Sequence, residues 1–534
     1  MVEAYKTTQY TFYLLLSRAE APFQEARRGL PIAGLISKMG SDVSEPLRQM
    51  LATMQHPPQV AISLAVGDHL TRNGTTQIIS SLLGGRDKAI GSCGFPMIDD
   101  APVHPIRTVE GRFLLAVEGR PREVSDPPSP PSDRNTVWRR IHEAASSVNA
   151  AGTIRDETAV ARLSAVMRRL RGSFAVGLLD GQRITVARDV LGVEPLYWGD
   201  NARYTGFASA RKALWRLGIP VTPPVPPGHV LVITSRTRRL FRAVDLPRPP
   251  ITNLSLEEAA QALMALLQRV VRASLHGSGG VGVFFSGGVD SALVAKCILV
   301  QEVTPVLYVA GFEGAPDLEA ARQAADELGC PLRETVISLD EAELFLRQVI
   351  SAVEQADVFA ISIGFPLYVA AEATRMDGVR RVFAGQGADE LFGGYARYPR
   401  ILQRAGAAAL ADALWADVVH LADRNLQRDK GVALATSIDL VLPFMDLAVI
   451  HLASSLPLPL KIASSEDALR KPVLRETARL LGLSETITRR PKKALQYGSG
   501  AQKAIQRLAA RRGYRRPRDY VTALFREVFP ERHG

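Results

Sequence analysis

The stretch VGVFFSGGVDSALVAKC, Val281–Cys297, runs from four apolar residues through two glycines into an apolar helical pattern. The spacing predicts a buried strand, a tight turn and a helix. On the turn stand Ser286, Gly287, Gly288, Asp290 and Ser291. Glycines let backbone N–H groups approach an anion, the helix N-terminus adds partial positive charge, and the serines add hydroxyl donors. Such a turn is a phosphate cradle, and it lacks the lysine of a Walker loop. A nearby GSGGVG, residues 277–282, formally matches a dinucleotide fingerprint but precedes its strand, where the fingerprint should follow one, so it reads as a loop.

Downstream, apolar strands alternate with helical stretches in VTPVLYVAGF, DLEAARQAADELG and VRRVFAGQG, which predicts a parallel sheet with helices on its faces. The Ala-rich 405–417 segment reads as an ordinary helix. Upstream, the Pro-rich DLPRPPITN (245–253) reads as a domain linker, followed by a capping box, Ser255 and Glu258, that opens a new helix. Before the linker, RFLLAVEG, SFAVGLLDGQRITVARD and HVLVITSRTRRLFRAV alternate as strands joined by tight turns. RRGLPIAGLISKMGSDVSEPLRQMLATMQH, Arg27–His56, reads as a strand, a polar turn and an amphipathic helix.

At 534 residues the chain is too long for one core, so two domains are expected. Three separated cysteines, with nothing like CxxC, argue against a disulfide framework or zinc ribbon and for a reducing, cytoplasmic setting. No stretch approaches the roughly 20 apolar residues of a membrane span. The net charge of +11 comes from arginine spread over the chain, which disfavours a nucleic-acid partner and suits a cleft for nucleotide phosphates. The nine histidines lack metal-ligand spacing.

SGGxDS after a buried strand resembles the PP-loop of ATP pyrophosphatases. FAGQGADELFGGYARY (Phe383–Tyr398), YVAGFEGAPDLEAA, LVLPFMDL and RRPKKALQYGSG resemble segments of the asparagine synthetase family. GSFAVGLLD, ARDVLGVEPLYWG and FASARKAL do so in the first half. The resemblance covers most of residues 30–500 and is shared with the β-lactam synthetases.

It implies a 1–29 extension, an αββα four-layer amidotransferase-like (Ntn) domain over 30–245, and a doubly wound α/β synthetase domain over 255–534 with a basic tail. It further implies that the PP-loop residues hold pyrophosphate and that Asp290 and Asp389 bind Mg²⁺. Lys492, with Lys493 beside it, would contact the departing pyrophosphate, and backbone at Phe284, Ala310, Ala384 and Gly385 would line the adenine of ATP. Gln386 stands where asparagine synthetases often carry a glutamate, and an amide cannot accept a proton from an attacking amine.

In class II amidotransferases an N-terminal cysteine attacks glutamine with its own α-amine as base. Here Leu30 and Pro31 fill the Cys-Gly positions. PPQV follows His56, Glu118, Gly119 and Arg120 replace Asn-Gly-Glu, and Asp133, the one pocket residue with a counterpart, reads better as a surface aspartate. Cys93 is internal and reads as a structural thiol.

The expected reaction is adenylation of a small carboxylate, aspartate favoured, with loss of pyrophosphate, then attack by ammonia or an amine to form an amide, without glutamine hydrolysis. The competing readings are intramolecular β-lactam-type closure, a catalytically decayed relic, and a PP-loop tRNA-modifying enzyme. Against lactam closure, the tyrosine–glutamate pair of that family finds no counterpart, since Gln386 replaces the glutamate and no tyrosine lies between Tyr308 and Tyr368. Assembly as a homodimer stays open.

Overall fold

The computed structural model describes residues 2–7, 10–15, 32–37, 43–54, 61–66, 69–72, 75–77, 88–94, 106–107, 113–119, 122–123, 156–180, 183–234, 237–275, 280–492 and 494–532. Its contacts divide the chain into two units, Met1–Leu246 with Phe529–Gly534, and Pro247–Val528.

The first unit contains two large antiparallel sheets. One has six strands in the order Arg238–Arg242, His229–Ile233, Arg183–Arg188, Phe174–Asp180, Phe113–Gly119 and Ile106–Arg107. The other has seven, with Ile32–Ser37 between Tyr204–Ala208 and Lys88–Gly94. Ile32 and Ile36 from one sheet and Ala175, Leu179, Ile184 and Val186 from the other share one buried cluster around Phe207. The Phe207 ring lies between two strands that must have no Cβ beneath it. A Cβ at Gly34 would come within 2.3 Å of the ring, and one at Gly177 within 2.1 Å.

On the outer face of the six-stranded sheet, Val160, Leu163 and Met167 of helix Asp156–Arg169 pack against Phe174, Val176, Leu178, Val230 and Val232. Helix Ser44–Thr53 packs on the seven-stranded sheet. All six residues of Ile32–Ser37 are therefore buried, as a strand covered on both faces requires, and the layers read α, β, β, α. A separate antiparallel hairpin pairs Val2–Thr7 with Tyr10–Leu15.

Arg188 and Asp189 hold the turn that leads into Tyr197–Asp200. Arg188, almost fully buried, donates to the carbonyls of Glu194 (2.6 Å), Val225 (3.1 Å) and Gly192. The Asp189 carboxylate accepts the N–H groups of Leu191 (3.0 Å) and Val193 (3.1 Å).

The second unit is built on a five-stranded parallel sheet in the order Leu332–Ile337, Val306–Phe312, Val281–Phe284, Arg381–Phe383, Asp439–Val441. The chain lays strands outward from Val281–Phe284 in one direction, then returns and continues in the other. A topological switch point thus lies between Val281–Phe284 and Arg381–Phe383, where two loops leave the carboxyl edge in opposite directions.

Helix Leu256–Leu275 opens the unit with the expected capping box. The Ser255 N–H donates to Glu258 Oε2 (2.8 Å), and the Glu258 N–H donates to Ser255 Oγ (3.3 Å). The Ala-rich segment departs from the sequence reading. Helix Arg397–Val419 is interrupted at Gly406, whose φ of 83° no uninterrupted helix contains. Among the described residues no single helix is long and apolar enough to cross a membrane. Cys297 and Cys330 are both free and buried, and burial pushes the Cys297 thiol up to about 12.

Candidate active site

The PP-loop sits at the switch point between strand Val281–Phe284 and helix Val289–Leu299. Gly287 turns the chain with φ of 67°, and a Cβ there would meet the Ala320 carbonyl oxygen at 2.3 Å. Only glycine satisfies both conditions. The Ser291 hydroxyl donates to the Gly288 carbonyl (3.1 Å) and accepts the Ser286 N–H at 3.4 Å, so the turn is pre-shaped. From outside, Arg490 donates to the Ser286 carbonyl (2.6 Å) and to Asp317 Oδ1 (3.1 Å).

The second loop follows Arg381–Phe383 and carries Ala384, Gly385, Gln386, Gly387 and then helix Ala388–Phe392 with Asp389 in its first turn. The Ala384 N–H donates to the Val441 carbonyl (3.0 Å), which fixes the loop's departure. The structure brings Asp290 and Asp389 from these two loops to one ammonium. Lys471 Nζ lies 2.7 Å from each Asp290 oxygen and 2.6 Å from Asp389 Oδ1. Lys492 Nζ completes the cluster, 2.8 Å from Asp389 Oδ2 and 3.4 Å from Asp290 Oδ2.

Burial alone would raise the Asp389 carboxyl, but Lys471 and Lys492 outweigh it and hold the group well below the usual carboxylate range. Burial likewise opposes the Lys492 ammonium, and Asp389 and Asp290 overcome it, keeping that lysine charged beyond its ordinary range.

Lys471 escaped the sequence reading. It is fully buried, adopts φ of 58°, and stands at the N-terminus of helix Pro472–Leu480. A lysine there opposes the helix dipole, and a non-glycine residue at positive φ is strained. The one trace of this in the sequence is a cation immediately before a proline that opens a helix, in ALRKPVLRE. Gly394 makes the close approach feasible, since a Cβ there would lie 1.9 Å from Asp389 Oδ1 and 2.4 Å from Lys471 Cε.

The positions expected at the adenine edge are Phe284, at the end of its strand, Ala310 on the neighbouring strand, and Ala384 and Gly385 on the other side. They fall along the carboxyl edge of three adjacent strands. Gln386 is half-buried beside them.

For a divalent cation, two carboxylates that reach one point suffice, because Mg²⁺ is commonly held by one or two carboxylates plus substrate phosphates. Asp389 Oδ1 is buried and, although 2.6 Å from Lys471 Nζ, has no hydrogen bond of acceptable geometry. The donor set fits the ion. Among the described residues no cluster of three or more acidic, histidine or cysteine ligands occurs elsewhere.

Leu30, Pro31, His56, Arg120, Asp133 and Lys493 lie outside the described residues. Cys93 falls in strand Lys88–Gly94, and Glu118 and Gly119 in strand Phe113–Gly119.

The Asparagine synthase family matches residues 262–409 and 402–528, and the Glutamine amidotransferase domain family matches residues 144–216. The chain is 33% identical over 417 residues to the putative asparagine synthetase (glutamine-hydrolyzing) 1 of Methanocaldococcus jannaschii, covering 68% of this chain and 76% of that one. It is 30% identical to the probable asparagine synthetase (glutamine-hydrolyzing) of Schizosaccharomyces pombe, over 51% of this chain and 52% of that one. To asparagine synthetase (glutamine-hydrolyzing) 1 of Saccharomyces cerevisiae it is 29% identical, over 58% and 60%.

Proposed function

Because the chain belongs to the asparagine synthetase family, we propose that its PP-loop site adenylates the side-chain carboxylate of aspartate and passes the acyl group to ammonia. The enzyme is an ATP-dependent C–N ligase that forms AMP and pyrophosphate. The observation that carries the finer reading is the convergence of Asp290, Asp389, Lys471 and Lys492 at the head of the PP-loop helix.

In the first step a carboxylate oxygen attacks the α-phosphorus of ATP, the bond to the bridging oxygen breaks, and pyrophosphate leaves. Ser286, Gly287, Gly288 and Ser291 receive the β- and γ-phosphates with backbone N–H and hydroxyl donors at a helix N-terminus. Backbone at Phe284, Ala310, Ala384 and Gly385 lines the adenine. Asp290 and Asp389 would hold Mg²⁺, which would supply positive charge to offset the negative charge developing on the leaving group. Lys471 and Lys492, held beside the PP-loop helix by Asp290 and Asp389, are the cations that would offset the charge of the departing pyrophosphate.

In the second step ammonia attacks the acyl carbon and AMP departs. The proton lost by the nitrogen needs a base, and Gln386, as an amide, cannot serve. Amide formation is therefore the slower half-reaction in this chain.

Glutamine hydrolysis is absent from the proposed activity, because Leu30 stands at the nucleophile position and the residues around it depart from the pocket. Aspartate-dependent ATP–pyrophosphate exchange by the purified protein tests the reading. Exchange with aspartate, with asparagine formed from ammonium and not from glutamine, is the expected result. Absence of exchange overturns the ligase reading, and glutamine-supported asparagine overturns the loss of glutaminase activity.

A further inference from the structure

Lys461 follows the short turn Leu458–Leu460 and is only 5% exposed. Its main chain is fully used, since its N–H donates to the Leu458 carbonyl (2.9 Å) and its carbonyl accepts the Lys471 N–H (2.8 Å). Its Nζ has neither a hydrogen bond nor an ion pair among the described residues. A buried ammonium without a partner is costly, and native chains keep one where something meets it.

The side chain lines a small cleft open in part to solvent, whose apolar walls include Leu391, Leu414, Trp415, Val418, Leu456 and Leu458. Arg248 lines the same cleft and engages Asp412 through Nη1 (2.7 Å). Glu390 also lines the cleft; its Oε1 is taken by Tyr395 (2.5 Å) and Asn425 (2.6 Å), its Oε2 is buried without a hydrogen-bond partner, and no ion pair joins it to Lys461. Burial, and then Arg248, brings the Lys461 amine down to about 8, so the charge most felt by Lys461 has its own sign.

Two cations on the lining of a largely apolar cleft define the complement. We propose that this cleft is a binding site for a small aliphatic monocarboxylate, its carboxylate held by Lys461 and Arg248 and its hydrocarbon end covered by the leucines and Trp415. A singly charged head is favoured because Arg248 is already shared with Asp412, and because the remaining walls, apart from Ser454 and Glu390, are mostly apolar. The site is separate from the PP-loop and does not rest on the ligase reading. It lies one main-chain hydrogen bond from Lys471, through the Lys461 carbonyl.

The test is a titration of the full chain with sodium butyrate, read by ligand-observed NMR saturation transfer and by tryptophan fluorescence, with no ATP present. Saturable binding is expected, weakened at least tenfold in Lys461→Met and in Leu414→Trp, which fills the space. Butyramide, the neutral isostere, is expected to bind at least tenfold more weakly than butyrate to the unaltered protein, a comparison that needs no variant to fold. Absent binding, equal binding of butyramide, or full binding by both folded variants overturns the proposal. Inorganic phosphate binding as tightly as butyrate overturns the assignment to a carboxylate with an apolar body.

Discussion

At the scale of single residues, the site is a cluster of four charges, two carboxylates and two ammoniums. Asp290 and Asp389 are each paired with lysine in the structure described, and the same carboxylates are the ones suited to Mg²⁺ when nucleotide is bound. Replacing Asp290 by Ala removes one cation ligand and leaves Lys471 less well matched, so aspartate-dependent pyrophosphate exchange should fall by about 10²–10³-fold, the range seen for loss of one preorganised electrostatic contact. Lys471→Met should lower exchange comparably and should also destabilise the fold by about 3 kcal/mol, since it leaves buried carboxylates short of a counter-charge. The pH dependence has a definite sign. Asp389 has a folded pKa below its unfolded value, so its stabilisation is present above the ordinary carboxylate range, about 4, and is lost as pH falls through the folded value. The gap in urea midpoint between wild type and Lys471→Met should therefore be widest near neutrality and narrow under acid. On the proposed mechanism, Gln386→Glu would supply a base for the amine step. It should raise asparagine formed per pyrophosphate released by about tenfold or more, with exchange itself little changed.

At the scale of elements, two loops and one helix start carry the chemistry, and each depends on a close approach. Gly287 gives the PP-loop both its positive φ and its clearance from the Ala320 carbonyl. Gly287→Ala should cost about 1–3 kcal/mol of stability in chemical denaturation and abolish exchange. The packed sheets of the first unit show the same dependence on missing side chains. Gly177→Ala would drive a methyl into the Phe207 ring, and overpacking of this kind costs about 1–3 kcal/mol. The strand–turn–helix at Val281–Leu299 was legible in the sequence because apolar run, glycines and helical period agree. So was the capping box at Ser255. The break at Gly406 was not, because the Ala-rich pattern on either side of it is helical and a lone glycine inside such a pattern is usually tolerated.

At the scale of the whole molecule, the two units keep different shares of the chemistry. The second holds the PP-loop, carboxylates and lysines, whereas the first is a four-layer scaffold, in which the proposed reading sets Leu30 at the nucleophile position. Ammonium, and not glutamine, is thus the nitrogen source expected to support product formation, measured as asparagine released with each donor. The sequence by itself determined that a PP-loop exists, that a parallel sheet carries it, and that Asp290, Asp389 and Lys492 are charged groups available to it. Those are properties of local pattern, in which residues close in the chain specify strand, turn and helix. Only the tertiary structure decided that Lys471, 181 positions from Asp290, is the cation both carboxylates share, and that Lys461 is buried without a partner. Burial and long-range pairing belong to elements brought together by the sheet order. No local period records which distant side chain will lose its water beside them.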